Sequence, residues 1–158
     1  MAKRNKRNKR NKHKAEREEE IPEYINNIIS EINDCEMLSK MDITHLVDID
    51  GIAYQVAGYA VDTDMKNTQL RSFFEAIKKM ERNGDWGDIK PEFILLKPRM
   101  AVRVGRGKVE EGFFKVIEAA MNKIEVGEEE DIKKNFKVFV EFFEAIIAYH
   151  KYLGEGDV

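Results

Sequence analysis

The sequence holds one cysteine, three prolines and three histidines in 158 residues. A lone Cys35 rules out an internal disulfide, and His13, His45 and His150 are scattered without the spacing of a zinc site. Long apolar runs are missing too. The Phe93-Ile94-Leu95-Leu96 run is far shorter than the about 20 residues a bilayer-spanning helix needs. No apolar segment follows the basic N-terminus as a secretory signal requires. These absences lead us to expect a soluble, cytoplasmic chain with no membrane partner. What is present is 42% hydrophobic and 36% charged residues, enough for a core and too apolar for wholesale disorder. The length suits one domain with a tail.

The net charge of −3 hides two populations. Residues 3–14 carry eight basic side chains (Lys3, Arg4, Lys6, Arg7, Lys9, Arg10, Lys12 and Lys14) and no acid, so setting these eight aside leaves −11 for the rest. An acidic body does not bind nucleic acid through its average charge; any such site is a local basic patch. Residues 3–11 are Lys-Arg-Asn three times over, with nothing apolar to offset the entropy of ordering. The expected organisation is a basic flexible arm over residues 1–20 and a single helical-bundle domain over 21–158.

From Ile21 onward the apolar period is helical. Glu16 and Glu18 to Glu20 precede Pro22, a helix-start signal, and Ile21, Ile25, Ile28, Ile32 and Cys35 fall on one face. The segment from Ile43 to Val61 is less regular, with Gly51 and Gly58 inside it. Asp62 to Asp64 and Asn67-Thr68 read as a loop and a cap. Leu70, Phe73, Phe74, Ile77 and Met80 then form a stripe closed by Asn83-Gly84. Asp85 to Lys90 reads as a turn anchored by Trp86. Pro91 and Pro98 bracket the next apolar run, so a helix restarts or kinks at Pro98 and ends at Gly105 and Gly107. Val109, Phe113, Val116, Ala120 and Ile124 mark another helix, stopped near Gly127. Ile132, Phe136, Phe139, Phe143, Ile146, His150 and Leu153 give the strongest pattern, that of a central helix. No two-residue alternation occurs. The expected fold is all-α, a compact bundle of five to six helices.

Catalytic constellations are thin. Asp48-Ile49-Asp50-Gly51 invites a calcium-loop reading, but Leu46 and Ala57 would fall at the first and twelfth ligand positions and cannot ligate. Gly105-Arg106-Gly107-Lys108 is too short for a phosphate loop and lacks its hydroxyl. His150 lies on a core seam, read as a hydrogen-bonded core histidine, and Cys35 as a small buried hydrophobe. No nucleophile has a neighbouring base. No enzyme activity, metal or cofactor is expected.

The basic signal is better. Lys97, Arg99, Arg103, Arg106 and Lys108 lie between Phe93 and Val109 with no acid among them. Arg99, Arg103 and Arg106 share one helix face within an arc of about 60°. Arginine forks suit phosphate oxygens, and such a row can track a strand backbone. The alternative is three arginines paired with carboxylates of neighbouring helices. Arg71, Lys78 and Arg82 make a second row, with Glu75 placed to pair with Arg71.

The order of three segments resembles a known family. Asn67-Thr68-Gln69-Leu70-Arg71-Ser72-Phe73-Phe74 opens one helix, and Phe93-Ile94-Leu95-Leu96-Lys97-Pro98-Arg99-Met100-Ala101 follows, ending at Gly105-Arg106. The chain closes with Phe142-Phe143-Glu144-Ala145-Ile146-Ile147-Ala148-Tyr149-His150-Lys151-Tyr152. Over residues 65–153 this set resembles the small helical subunit of type III-A CRISPR effector complexes, the Csm type. The resemblance implies an RNA-binding subunit in antiviral defence with no active site of its own. Its implied partners are guide RNA and target RNA, the backbone and large subunits of the complex, and other copies of itself. The RNA-contacting role it implies falls on Gln69, Arg71, Lys97, Arg99, Arg103 and Arg106, with Lys78 of the second row beside them.

A reading from a different class remains open: a helical adaptor or regulatory module whose basic arm alone binds nucleic acid or an acidic partner.

Overall fold

In the computed structural model, which describes residues 21–154, the isoleucine spacing of the first segment becomes helix α1, Glu23–Asp34. Pro22 caps it with φ −60°, the angle its ring imposes, and Ile25, Ile28 and Ile32 face the core. The arm expected over residues 1–20 lies outside the described residues. A 3-10 turn, Leu38–Lys40, follows, then α2 (Ile43–Val47), α3 (Ile52–Asp62), α4 (Asn67–Asn83) and α5 (Trp86–Ile94). Helices α6 (Leu96–Gly105), α7 (Glu111–Met121) and α8 (Glu129–Gly154) complete the order. The described residues contain no strand, and six helices reach ten residues or more, in line with the all-α bundle read from the sequence.

Helix α8 is the axis. Its 26 residues extend about 39 Å at 1.5 Å per residue, long enough to meet α2, α3, α4 and the 3-10 turn along its length. Phe136, Phe139, Phe142, Phe143 and Ile146 are buried on it. Phe93 meets Phe139 edge-to-face with centroids 5.2 Å apart, and Phe113 meets Phe143 at 6.4 Å, so α5 and α7 close on the same column. Helix α1 packs on α7, and one continuous core joins all these elements.

Three details differ from the sequence expectation. The irregular Ile43–Val61 segment is two helices, because the chain reverses between Asp48 and Gly51 with Asp50 at φ 68°. A Cβ on Gly51 would collide with the His45 carbonyl oxygen, so this turn needs glycine. The expected turn from Asp85 to Lys90 is instead mostly the start of α5, because Trp86, Ile89 and Phe93 form a stripe that packs inward. Trp86 does anchor it: its Nε1 donates to Glu125 at 2.8 Å and its ring lies 5.7 Å from Phe136. Asn67-Thr68 forms no side-chain cap. Asn67 Nδ2 instead faces His150 Nδ1 at 3.2 Å, while His150 Nε2 lies 2.9 Å from the Met65 carbonyl oxygen. That geometry is a hydrogen-bonded core histidine that latches α8 to the start of α4. Cys35 is half-buried, and burial pushes its thiol above the ordinary range.

Candidate nucleic-acid interface

Helix α6 starts where α5 stops. Leu95, at φ −65° and ψ −14°, ends one helix and begins the next, so the chain restarts ahead of Pro98. Pro98 is the third helical residue, where a missing N–H breaks no intrahelical bond. Leu96, Met100 and Val104 bury one face of α6. That choice of buried face leaves Arg99 and Arg106 exposed and Arg103 half-buried at the side.

The far end of α6 closes by a glycine-terminated cap. Gly107 takes φ 73°, its N–H bonds the Val104 carbonyl at 3.0 Å, and the Lys108 N–H bonds the Arg103 carbonyl at 2.9 Å. This pair of bonds defines a Schellman motif and requires a left-handed residue at Gly107. The Gly105–Lys108 segment is therefore a helix terminus. Its turn carries Lys108 back toward the arginines.

Arg103 reaches across to α4. Its Nη1 donates to Gln69 Oε1 at 3.1 Å and to the Gln69 carbonyl at 3.4 Å, and its Nη2 donates to Ser72 Oγ at 3.2 Å. The guanidinium carbon sits 4.3 Å from the centre of the buried Phe73 ring. All of these partners are neutral, so the positive charge is held in place without being cancelled. Among the described residues no carboxylate lies within salt-bridge distance of Arg99, Arg103 or Arg106. Thr68, Gln69, Ser72, Arg103, Arg106 and Lys108 together line a concavity of about 340 Å³ between α4 and α6.

The remaining sequence candidates lie elsewhere. Arg71 is exposed next to its α4 neighbour Glu75, at 3.9 Å, and Lys78 is paired with Glu81 at 2.9 Å. Lys97 points to the other side of α6, donating to Asn122 Oδ1 at 2.7 Å. Thr68, Ser72 and Lys108 were not singled out from the sequence as contact residues. No period links them to the arginine row, because only the α4–α6 contact and the Gly107 cap bring them to it.

A larger concavity, about 910 Å³, opens beside Trp86, with Ile89, Ile132 and Phe136 among its walls. Its rim mixes Glu129 and Glu130 with Lys133 and Lys137, so it offers no field of one sign. Nearby, the Lys90 ammonium and then the Trp86 N–H hold the Glu125 carboxyl below its usual range, which is a local ion pair. No group of His, Cys, Asp and Glu among the described residues could hold a metal ion, and no helix is long and apolar enough to cross a membrane.

Comparison with protein families gives a match to the model described as Csm2 Type III-A, over residues 43–156. The chain belongs to the Csm2 family. It is therefore a small subunit of the type III-A CRISPR Csm complex, an assembly it shares with other subunits. The match to Csm2 begins at Ile43 and so takes in α2 and α3, which the three sequence motifs did not reach. No curated protein and no solved structure matches the chain.

Proposed function

We propose that this Csm2-family chain is a non-catalytic subunit that holds the backbone of guide and target RNA against its α4–α6 face. On this reading Gln69, Arg99, Arg103 and Arg106 contact RNA on that face, Arg71, Lys78 and Lys97 contact it outside the concavity, and the remaining surface packs against backbone and large subunits and other copies of the chain. The observation that supports it best is that, among the described residues, no carboxylate pairs with Arg99, Arg103 or Arg106, although the chain outside residues 3–14 carries −11. Guanidinium groups left without acids keep their full charge for an external anion. Pairing of bases would read the sequence, while the protein holds shape and phosphate.

The test is a salt titration of single-stranded RNA binding to the full chain. Each neutralised phosphate contributes a slope of about −0.7 in log affinity against log salt. Changing Arg99, Arg103 and Arg106 together to Ala lowers affinity and flattens that slope by about 2 if each arginine covers one phosphate. Unchanged affinity and slope in this variant, with unimpaired assembly into the complex, would remove the assignment.

A further inference from the structure

The hollow beside Trp86 stands apart from the strand-holding face. It lies at the start of α8, with Glu130 on its rim. His150, which meets Asn67 beside the α4–α6 concavity, is 20 residues further along that helix, about 30 Å away at 1.5 Å per residue. The lining of the hollow is more apolar than polar, and Trp86 and Ile132 on it are only half-buried. A Cβ on Gly87, which also lines it, would stand in open space, so nothing of this chain fills that wall. An apolar floor inside a charged rim is how contacts between proteins are built.

The charges of the rim are ordered along the helix. Glu129 and Glu130 stand in the first turn of α8, and Lys133 and Lys134 in the next. All four side chains are exposed, and among the described residues none lies within salt-bridge distance of an opposite charge. Pairing within the helix, Glu129 with Lys133 and Glu130 with Lys134, adds little on an exposed surface. An acidic turn followed by a basic one is its own complement when two such helices lie antiparallel. A two-fold axis crossing α8 between Asp131 and Ile132 sets residue 129 opposite 134 and residue 130 opposite 133. Carboxylate then meets ammonium at every such position in both copies. A parallel pair would set like charges together, and a nucleic-acid strand is repelled by Glu81, Asp85, Glu129 and Glu130 on the same rim.

We propose that the Trp86 hollow is the contact face of a two-fold pair. A second copy of this chain lays the start of its α8 antiparallel to the first, and Trp86 and Ile132 of both copies are covered. Such a contact is isologous, so it closes as a dimer and does not propagate. The RNA-holding reading leaves the contact between copies unplaced, and the pair gives it a surface. Because the α4–α6 face lies towards the other end of α8, each copy in the pair still presents its arginines.

The experiment is sedimentation velocity on the full chain, without nucleic acid, over a range of micromolar concentrations. The unaltered chain is expected to reach the mass of two chains. Lys133→Glu with Lys134→Glu makes the stripe wholly acidic, and Glu129→Lys with Glu130→Lys makes it wholly basic. Each double variant alone sets like charges across the axis, and its dissociation constant rises at least about tenfold. Mixed in equal amounts, the two variants restore every opposite pair, and a mixed dimer forms. Its dissociation constant is within about threefold of the unaltered one. Gly87→Gln has room within one copy but puts a side chain into the hollow, so it weakens pairing with no change of charge. Thermal melts check the fold of each variant.

Three results overturn the pair: an unaltered chain that stays single throughout, a dimer that the double variants or Gly87→Gln leave untouched, or a mixture of folded variants that does not recover. The first of these leaves the hollow to a different subunit. None of them touches the RNA-holding reading, because no strand is present and the altered side chains lie outside the α4–α6 concavity.

Discussion

Tyr59 of α3 is 5% exposed, and desolvation, with Glu110 second, pushes its phenol up to about 12 against an opposing hydrogen bond from the Gly112 backbone. A hydroxyl so removed from water has no room beside it. A Cβ added at Gly112 would stand 2.7 Å from the Tyr59 oxygen and 3.1 Å from two ring carbons. Gly112→Ala therefore sets two effects against each other. Alanine gains about 1 kcal/mol of helix propensity, while overpacking a rigid aromatic costs about 1–3 kcal/mol. We expect overpacking to win, destabilising the chain by about 1 kcal/mol in denaturant melts. In a Tyr59→Phe background the nearest atom is gone and the penalty shrinks, a coupling that a double-mutant cycle reads directly. A stabilising Gly112→Ala in the unaltered chain would show that the ring can yield.

At the scale of elements, Asn135 ties three segments together. Its Nδ2 donates to the Ile124 carbonyl at 2.9 Å and the Val126 carbonyl at 3.3 Å, and its Oδ1 accepts from the Ser39 N–H at 2.8 Å. It is fully buried on α8, so the 3-10 turn and the α7–α8 loop are both held to the axis by one amide. Asn135→Ala leaves these groups short of partners at about 1–3 kcal/mol each, and the expected loss is about 3 kcal/mol, with a lower urea midpoint. A loss below about 1 kcal/mol would mean that water replaces the amide.

The periodicity that places Asn135 was only partly legible. Ile132, Phe136, Phe139, Phe143, Ile146, His150 and Leu153 repeat at helical spacing over about six turns, and a pattern that long overrides local noise. Asp85 to Lys90 was misjudged because Pro91 and the neighbouring glycines suggest a turn, whereas the deciding term is tertiary. Trp86 and Phe93 have Phe136 to pack against, 5.7 Å and 5.6 Å away. The arginine row of α6 was visible as spacing. That Arg103 would lie over Phe73, and Lys108 return beside it, depends on a helix crossing and a left-handed glycine that period alone does not encode.

At the scale of the whole molecule, charge separates the two readings of the chain. The eight basic side chains of residues 3–14 exceed any cluster in the body, which otherwise carries −11. Deleting residues 1–20 should lower RNA affinity yet leave a remainder that still responds to Arg99, Arg103 and Arg106. If all binding vanishes with the deletion, the adaptor reading takes precedence over the RNA-holding one. Each arm is measured as affinity across a salt series, because long-range attraction by residues 3–14 falls off within a Debye length of about 8 Å at physiological ionic strength.

Helix α8 packs on elements that are all synthesised before it. During translation α1 to α7 therefore leave the ribosome with the column Phe136–Phe143 still missing, and the histidine latch to Asn67 closes near the end of that helix. The α4–α6 face therefore takes its final shape only once α8 has joined the bundle. A partner strand consequently meets either the whole bundle or an unfinished one with no firm grip to offer.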